Sequence, residues 1–232
     1  MNLTLDIGNT AVKWATFQGR TMTAHGTGLP EAPLADAGSI MACASGDAAT
    51  VLKSLPSPHA TLLSSHTPLP IRLDYRTPDT LGPDRVAAAC GAWALHPGDD
   101  CLIIDAGTCV TVDFLDHEGI YHGGAIMPGL GMNLRALHTF TNKLPLIAIE
   151  PGRKAPVLGR TTEESIVAGT LGAMQMALAG YVTLYRQRCA ALRVLVTGGD
   201  ATRLLPPGAN GSEHLPHLTL IGLNEIIMHN EK

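Results

Sequence analysis

Two copies of one short pattern constrain the fold of this chain more than any other feature. In each copy, an apolar strand carries an aspartate near its end, a turn containing glycine and threonine follows, and a second strand begins. The first copy has Asp6 in the strand 3–7, and the second has Asp105 in the strand 101–105. A repeat at about half the chain length favours two duplicated α/β lobes with mixed sheets and a cleft between them.

The turn that follows each aspartate suggests a phosphate site. Glycine lets a phosphate approach the backbone N–H groups closely, and Thr10 and Thr108 add hydroxyl donors. A carboxylate at the same place would repel phosphate unless a cation lay between them. Asp6 and Asp105 therefore indicate phosphate together with a metal ion. The alternative for either aspartate alone is a strand end closed by an Asx turn, which needs no ligand.

A second candidate site stands at the start of an alanine-rich helix expected over residues 86–95. Asp84 could act there as a general base, and Arg85 as an anion-binding guanidinium. Tyr75, at the end of the extended segment 69–75, could line the same pocket. The alternative is that Asp84 only complements the helix macrodipole, that Arg85 is a surface residue and that Tyr75 is an ordinary half-buried aromatic residue.

The rest of the chain is expected to alternate strands and helices. A polar turn at 96–100 suggests a boundary, which divides the chain into lobes of residues 1–97 and 98–232. The layout between residues 19 and 64, a region rich in Gly, Pro and Ala, is left open. Further strands are expected at 11–17, 39–43, 61–63, 110–115, 120–126, 194–196 and 218–220, and further helices at 131–140 and at the C-terminus.

Composition argues against several classes of partner. The 232 residues carry a net charge of −4 and no cluster of Lys and Arg, so neither nucleic acid nor an anionic membrane is an expected partner. The five cysteines form no CxxC pair, and the ten histidines lack the spacing of a metal site. We expect no signal peptide and no membrane-spanning run, and therefore a cytoplasmic location.

One long helix predicts the oligomeric state. Thr161 and Glu164 form a capping box at its start, and the segment from Ile166 to about Tyr185 is apolar on nearly every face. A helix of that kind must be buried on all sides, whereas one lobe covers only one face. We therefore expect a homodimer, with burial between the two lobes of one chain as the alternative.

Taken in order, these motifs resemble those of type III pantothenate kinases over nearly the whole chain. The ordered set is far more specific than any one motif. The family lies in the acetate and sugar kinase/Hsc70/actin superfamily, so the resemblance implies two ribonuclease-H-like lobes of the actin-like ATPase type. The matching stretches are Asp6-x-Gly-Asn-Thr-x-x-Lys13, Gly82-x-Asp84-Arg85, Asp105-x-Gly-Thr108-x-x-Thr111-x-Asp113, Gly123-Gly-x-Ile-x-Pro-Gly129 and Thr197-Gly-Gly199.

The resemblance also implies a reaction and its residues. ATP would phosphorylate the primary hydroxyl of pantothenate, the first step toward coenzyme A, with Mg²⁺ and either K⁺ or NH₄⁺ as cofactors. Asp84 would accept the proton, Asp6 would lie near Mg²⁺, and Asp105 would bind the monovalent cation. The implied ATP-binding residues are Asp6, Ile7, Gly8, Asn9, Thr10, Ala11, Val12, Lys13 and Thr108. The implied pantothenate-binding residues are Tyr75, Gly82, Pro83, Asp84, Arg85 and, across a dimer interface, Thr162.

Two other hypotheses stay open at the level of the residues. One is another phosphotransferase, or an exopolyphosphatase-like hydrolase, of the same superfamily; the hydrolase would turn over without an acceptor alcohol. The other is a non-catalytic regulator built on the same scaffold. Intact Asp6, Asp84 and Asp105 count against the regulator, because loss of a catalytic residue would be its simplest sign.

Overall fold

The structure is a computed structural model. It describes residues 1–29, 37–46, 60–189 and 191–231. Much of the region between residues 19 and 64, whose strand layout the sequence leaves open, therefore lies outside the described residues.

The first sheet places Asp6 near the end of a buried central strand. Its described strands are β1 (Asn2–Ile7), β2 (Val12–Gln18), β3 (Thr21–Thr27), β4 (Ser39–Ala44) and β5 (Ala60–Leu62). They lie in the order β3-β2-β1-β4-β5, with β1 antiparallel to β2 and parallel to β4. Leu3, Leu5 and Ile7 are buried, as expected of a central strand. The four strands expected in this part of the chain are confirmed to within about two residues, the usual uncertainty of strand ends.

The second sheet repeats the same strand order. Its described strands are β6 (Arg72–Leu73), β7 (Cys101–Ala106), β8 (Cys109–Leu115), β9 (Ile120–Pro128), β10 (Arg193–Thr197) and β11 (Ser212–His214). The order is β11-β10-β7-β8-β9-β6, so β9-β8-β7-β10-β11 reproduces β3-β2-β1-β4-β5. In addition, β10 is parallel to β7 as β4 is parallel to β1. The duplicated α/β fold is confirmed, and Asp105 occupies in β7 the place that Asp6 occupies in β1.

The helices begin close to the expected positions. They are α1 (Pro83–Leu95), α2 (Leu130–Thr139), α3 (Thr162–Val167), α4 (Ala173–Arg186), α5 (Ala201–Leu204) and α6 (Leu218–Asn230). One π-helical turn, Ala168–Gly172, joins α3 to α4. The capping box is present: Thr161 Oγ1 accepts the Glu164 N–H at 3.1 Å. The Glu164 carboxylate accepts the Arg160 N–H at 2.7 Å, one residue before the expected one.

Close packing of α1 on α6 fixes the helix start that carries Asp84. A Cβ atom at Gly222 would lie 1.7 Å from the Ala87 carbonyl oxygen, and one at Gly91 would lie 2.3 Å from the Leu218 carbonyl oxygen. Backbones this close require glycine at both positions. Since seven residues of α1 from Val86 to Ala92 are buried, the expectation of a buried alanine-rich helix is confirmed.

One local expectation was wrong. Residues 218–220 form the first turn of α6 and not a strand, and the last described strand is β11. The alternation Leu-Thr-Leu resembles a strand, but the apolar residues continue at helical spacing through Leu223, Ile226 and Ile227, all of which are buried. Strand β3 lies in the region whose layout the sequence leaves open; Met22, Ala24 and Gly26 alternate along it with polar residues, but most of its side chains are exposed.

Contacts divide the chain into two compact units. One comprises Met1–Asp99, Asp113–Gly123 and His217–Lys232, and the other comprises Asp100–Val112 and Gly124–Pro216. The boundary between residues 97 and 98, which separates the two halves of the duplication along the chain, stays a prediction.

The helical stretch Thr162–Arg186 is long and apolar enough to cross a membrane by length and composition alone. The sequence had led us to expect no such run. This is weak evidence for a membrane span, since buried helices of globular proteins pass the same test. Leu171 and Leu178 are buried in the core of the second unit, whereas Met176 is 63% exposed and Leu184 56% exposed. The expected burial on all faces is therefore not met within the described chain.

Candidate active site

Asp6 lies between Lys13 and Cys43 in the first sheet. It is in register with Lys13 on β2 and with Cys43 on β4. The buried Cys43 thiol donates a hydrogen bond to Asp6 Oδ1 at 3.6 Å. Burial raises the pKa of the Asp6 carboxyl; the charge of Lys13 opposes this shift and the charge of Asp84 adds to it. A carboxylate held in this way gains from a bound cation.

The turn after β1 presents backbone to solvent. The Gly8 N–H donates to the Ala11 carbonyl at 3.1 Å, and the residues between them are exposed. The loop after β4 packs against this turn, because the Gly46 N–H donates to the Ile7 carbonyl at 3.0 Å. A Cβ atom at Gly46 would lie 2.7 Å from the Gly8 carbonyl oxygen. The expected ATP-binding stretch from Asp6 to Lys13 thus spans the end of β1, the turn and the start of β2.

The first turn of α1 carries Asp84. Gly82 caps the helix, and Pro83 is its first residue. Asp84 Oδ1 accepts the Arg85 backbone N–H at 2.9 Å, and a Cβ atom at Gly82 would lie 2.6 Å from that same oxygen. The Asp84 charge raises the pKa of the Asp6 carboxyl. The structure therefore brings the expected base and the expected magnesium ligand within electrostatic reach of each other.

Arg85 is buried in an ion pair and is not the surface residue of the alternative interpretation. Its Nη2 lies 2.5 Å from Asp113 Oδ1, and its Nε donates to the same oxygen at 3.1 Å. The Tyr121 hydroxyl donates to Asp113 Oδ1 at 2.6 Å. Burial alone would lower the pKa of Arg85, but its hydrogen bonds and the Asp113 charge raise it. Burial and the same aspartate also raise the pKa of Tyr121.

Tyr75 lies beside this buried group. Its ring centroid is 6.2 Å from that of Tyr121, and a Cβ atom at Gly123 would lie 3.0 Å from Tyr75 Cε2. Gly123 has a φ of +84°, so it is suited to this position by conformation as well as by size. Of the residues expected to bind the second substrate, Tyr75, Arg85 and the start of α1 are thus neighbours.

In the second unit, Gly129 and Gly198 pack closely against the end of β7 and the turn that follows Asp105. The Gly107 N–H donates to the Cys109 carbonyl at 2.9 Å, and Thr108, between them, is exposed. The Gly129 N–H donates to the Thr108 carbonyl at 3.1 Å, and a Cβ atom there would lie 2.3 Å from that oxygen. Gly198, after β10, approaches the end of β7 as Gly46 approaches the end of β1. The second copy of the motif therefore repeats the packing of the first.

Thr162 is exposed at the start of α3. A Cβ atom at Gly159 would lie 2.3 Å from the Ser165 nitrogen, so the preceding chain packs tightly on the first turn of the helix. A depression of about 680 Å³ opens there within the second unit. Its lining residues are Leu137, Leu144, Gly159, Arg160, Thr161, Thr162, Ser165, Ile166 and Gly169.

Asp6 and Asp105 suit cations that take only one protein carboxylate and fill the rest of their coordination shell with phosphate oxygens or water. Among the described residues, no three His, Cys, Asp or Glu side chains converge to form a metal site. Asp6 and Asp105 are each single carboxylates at glycine turns. Mg²⁺ commonly uses one or two carboxylates and completes its shell with phosphate oxygens and water, so Asp6 suits it. A hard monovalent cation is suited by the carboxylate and carbonyl oxygens around Asp105.

Sequence reasoning assigned no role to four residues that shape this site. In the sequence, Asp113 stands only as one position of a family motif, and Tyr121, Cys43 and Gly46 lie outside the residues expected to form the site. One available signal was the charge of Asp113 in an otherwise apolar strand, since a buried aspartate needs a partner. Cys43 and Gly46 contact β1 and the turn after it from far along the chain, and Tyr121 acts through its bond to Asp113; no local pattern indicates these contacts.

The sequence matches known proteins over most of its length. A family model described as type III pantothenate kinase matches residues 38–184. A type III pantothenate kinase of Bacteroides fragilis is 40% identical over 216 residues, covering 86% of each chain. Another, from Cytophaga hutchinsonii, is 35% identical over 236 residues, covering 99% of this chain and 100% of the relative.

Solved structures share the fold at low sequence identity. A Baf-family protein of Campylobacter jejuni, described as a candidate transcriptional activator, superposes with a TM-score of 0.67 at 19% identity and covers 99% of this chain and 98% of its own. The activator of 2-hydroxyisocaproyl-CoA dehydratase from Clostridium difficile, with bound ADPNP, has a TM-score of 0.55 at 13% identity. The match covers 99% of this chain and 96% of the activator. These likenesses support the fold alone.

Proposed function

The chain belongs to the type III pantothenate kinase family, and from that premise we propose that it transfers a phosphoryl group from ATP to the primary hydroxyl of pantothenate. The observation that carries the proposal is the placement of Asp84. It lies within electrostatic reach of Asp6 and next to Arg85. Phosphoryl transfer depends mainly on positioning and charge neutralisation, which this arrangement can supply.

Asp84 is the proposed proton acceptor. A primary alcohol is a weak nucleophile, and a carboxylate within hydrogen-bond reach can take its proton as the new bond forms. The hydrogen bond from the Arg85 N–H to Oδ1 orients the carboxylate. Gly82 and Pro83 begin the helix that carries this side chain in its first turn.

The buried group around Arg85 is proposed to shape the pantothenate pocket. Asp113 fixes two nitrogens of the Arg85 guanidinium, and Tyr121 in turn donates to Asp113. Arg85 is thereby held rigidly for contact with the carboxylate or the phosphoryl charge of a substrate. Tyr75 would contact pantothenate from the adjacent side.

The proposed ATP-binding residues are those from Asp6 to Lys13, and Thr108. The exposed turn N–H groups and the threonine hydroxyls would bind phosphate oxygens. Asp6 would hold Mg²⁺ and Asp105 K⁺ or NH₄⁺, and these cations would neutralise phosphate charge. Cys43 and Lys13, on either side of Asp6, would keep its carboxylate oriented.

We also propose that the working enzyme is a cytoplasmic homodimer. The outward face of α4 is formed by exposed small and apolar residues, including Met176 and Leu184. Nearby in sequence, Val157 is 91% exposed and Leu158 75% exposed. Apolar side chains in such numbers favour a protein partner, and a second copy is the most common one. Thr162 would then reach the pantothenate site of the partner.

A coupled assay of ADP release tests the proposed reaction. The protein is supplied with ATP, Mg²⁺ and K⁺, with and without pantothenate. We expect ADP release that depends on pantothenate. Release at the same rate without pantothenate would instead identify a hydrolase, and no release under either condition would favour a non-catalytic regulator.

A further inference from the structure

His122 bridges two carboxylates at the edge of the second sheet, and the proposed reaction gives it no role. Its Nε2 lies 2.7 Å from Asp116 Oδ2, and its Nδ1 lies 3.2 Å from Asp74 Oδ2. A neutral imidazole can donate from only one nitrogen, whereas the imidazolium donates from both. The bridge is therefore complete only when the ring is protonated.

Asp116 is the fixed end of this bridge. Its Oδ1 accepts the Glu118 N–H at 3.0 Å and the Ile120 N–H at 2.8 Å. The His122 ring also stacks on Phe114, with centroids 5.8 Å apart. These contacts orient the ring toward the chain segment at the other end.

Asp74 is the movable end, and it directly precedes Tyr75. The short strand β6 before it contains only Arg72 and Leu73, and the Asp74 side chain is 76% exposed. The Asp74 N–H donates to the Tyr121 carbonyl at 2.9 Å. An edge segment with so few contacts opens easily, so an additional tie to Asp74 changes how firmly Tyr75 is held.

We propose that His122 is a positioning residue that holds Tyr75 in the pantothenate pocket by tying Asp74 to Asp116. The effect on pantothenate rests on the proposed function, whereas the tie, the His122 bridge between Asp74 and Asp116, does not depend on it. It predicts that pantothenate binds most tightly while His122 is protonated and more weakly as the pH rises.

The charges around His122 set the direction of this pH dependence. The hydrogen bond that His122 donates to Asp116, and the longer one that it donates to Asp74, raise the pKa of His122 against the effect of burial. Arg72 and Glu118, on the same two segments, pair with each other at 3.6 Å. Because the pKa is raised, the tie persists to a higher pH than it would with an unperturbed histidine, and it is lost as the pH passes the raised value.

Hydrogen exchange tests the tie without reference to activity. The full chain and its His122→Gln variant are compared at one pH by mass spectrometry of peptides covering residues 72–76. Glutamine cannot bridge both carboxylates as an imidazolium does, so we expect faster exchange at these residues alone. His229→Gln, at an exposed site on α6, is the matched control and should exchange as the wild type does. Equal exchange in His122→Gln and wild type would overturn the proposal.

Kinetics test the consequence for substrate. In His122→Gln we expect the KM for pantothenate at pH 6.5 to rise about three- to fivefold, the factor expected from a partly exposed ion pair. The wild-type KM should rise toward the variant value with increasing pH, while kcat and the KM for ATP stay unchanged. A wild-type KM that is flat between pH 6 and 9 would overturn the proposal.

Two further outcomes keep the inferences separate. If His122→Gln fails to fold, Asp74→Ala removes the acceptor at the movable end and leaves the His122–Asp116 pair in place; it should give the same faster exchange, and unchanged exchange would refute the tie. If the wild type does not use pantothenate, the proposed function fails. Faster exchange in the variants would then still support the tie.

Discussion

At the scale of single residues, the site places two acidic groups together at some cost to the folded chain. Asp6 is mostly buried, and its carboxyl has a raised pKa because burial and the Asp84 charge disfavour its ionised form. A group that lowers stability in the free protein commonly serves ligand binding or catalysis. The following predictions separate the tasks of Asp6, Asp84 and Asp113.

Asp84→Asn keeps the size of the side chain and removes the base. We expect kcat to fall by about 100-fold or more, since general bases commonly contribute that factor, with the KM for ATP little changed. Asp79→Asn, on the exposed turn just before α1, is the matched control and should keep wild-type rates. A near-normal kcat in Asp84→Asn would mean that Asp84 is only a helix-end residue.

Asp6→Asn should stabilise the free protein while weakening its response to Mg²⁺ and ATP. Because the folded-state pKa of Asp6 is raised, its ionised form opposes folding at neutral pH, and this effect fades as the pH falls through the raised value. Thermal unfolding midpoints at pH 7 measure both effects. We expect a higher midpoint than wild type without ligands and a smaller increase on adding Mg²⁺ and ATP. A lower midpoint in both conditions would make Asp6 a purely structural residue.

Asp113→Asn should destabilise the fold. The change leaves the Arg85 guanidinium buried without its anion, and breaking a buried pair in this way commonly costs about 3–5 kcal/mol. Urea unfolding measures the loss. Glu118→Gln, which breaks the exposed pair with Arg72, should cost less than about 1 kcal/mol. Similar costs for the two variants would show that the buried pair does not anchor the pocket.

At the scale of elements, the contact between α1 and α6 sets the position of Asp84. The two helices approach each other through Gly91 and Gly222, closer than any side chain would permit. The side chain of Asn224 on α6 bonds to that of Asn2 at the start of β1, at 3.0 Å. The helix start and the strand that carry Asp84 and Asp6 are thus tied to the same element.

Gly222→Ala should therefore affect both stability and rate. Its methyl group would meet the Ala87 carbonyl at 1.7 Å, so the helices must move apart, at a cost of about 1–3 kcal/mol or more. We expect a lower urea midpoint and a reduced kcat. Gly131→Ala on α2, where only the end of the flexible Arg135 side chain lies near, should change stability by less than about 1 kcal/mol. Equal effects would contradict the packing account.

The sequence predicted the elements that have local signals. The strands around Asp6 and Asp105, the helix after Asp84 and the capping box at Thr161 were all predictable, because aspartates, glycines and apolar periods lie next to one another in the chain. The exposed edge strand β3 lies in a region rich in Gly, Pro and Ala whose layout the sequence leaves open, and the first turn of α6 resembles a strand. Local propensity was insufficient where burial decided the outcome.

The candidate site was predictable only in part, for a similar reason. Asp84 and Arg85 are adjacent in the sequence, but Asp113, which pairs with Arg85, is 28 residues away along the chain. The contacts of Cys43 with Asp6, and of His122 with Asp74, likewise join distant strands. Such pairings follow from strand order and register, which a single sequence does not reveal.

At the scale of the whole molecule, the exposed apolar face of α4 predicts a homodimer with shared sites. Light scattering at micromolar concentration should give about twice the mass of the 24.3 kDa chain. A mixture of Thr162→Ala and Asp84→Asn chains should regain part of the activity, because each mixed dimer would contain one intact site. As a reference, Asp84→Asn chains are mixed with Asp79→Asn chains, which are expected to keep wild-type rates; this mixture measures how far activity falls when active chains are diluted with inactive ones. A fully active monomer would contradict the shared site.

Direct detection of the product tests the central claim, that Asp84 activates the hydroxyl of pantothenate for attack on ATP. Phosphorus NMR follows the wild type and Asp84→Asn side by side with ATP, Mg²⁺, K⁺ and pantothenate. We expect the wild type to convert pantothenate to 4′-phosphopantothenate as ATP becomes ADP, and the variant to form it at about one hundredth of the rate or less. Phosphate release without a phosphopantothenate signal, or equal rates in the two proteins, would contradict the account.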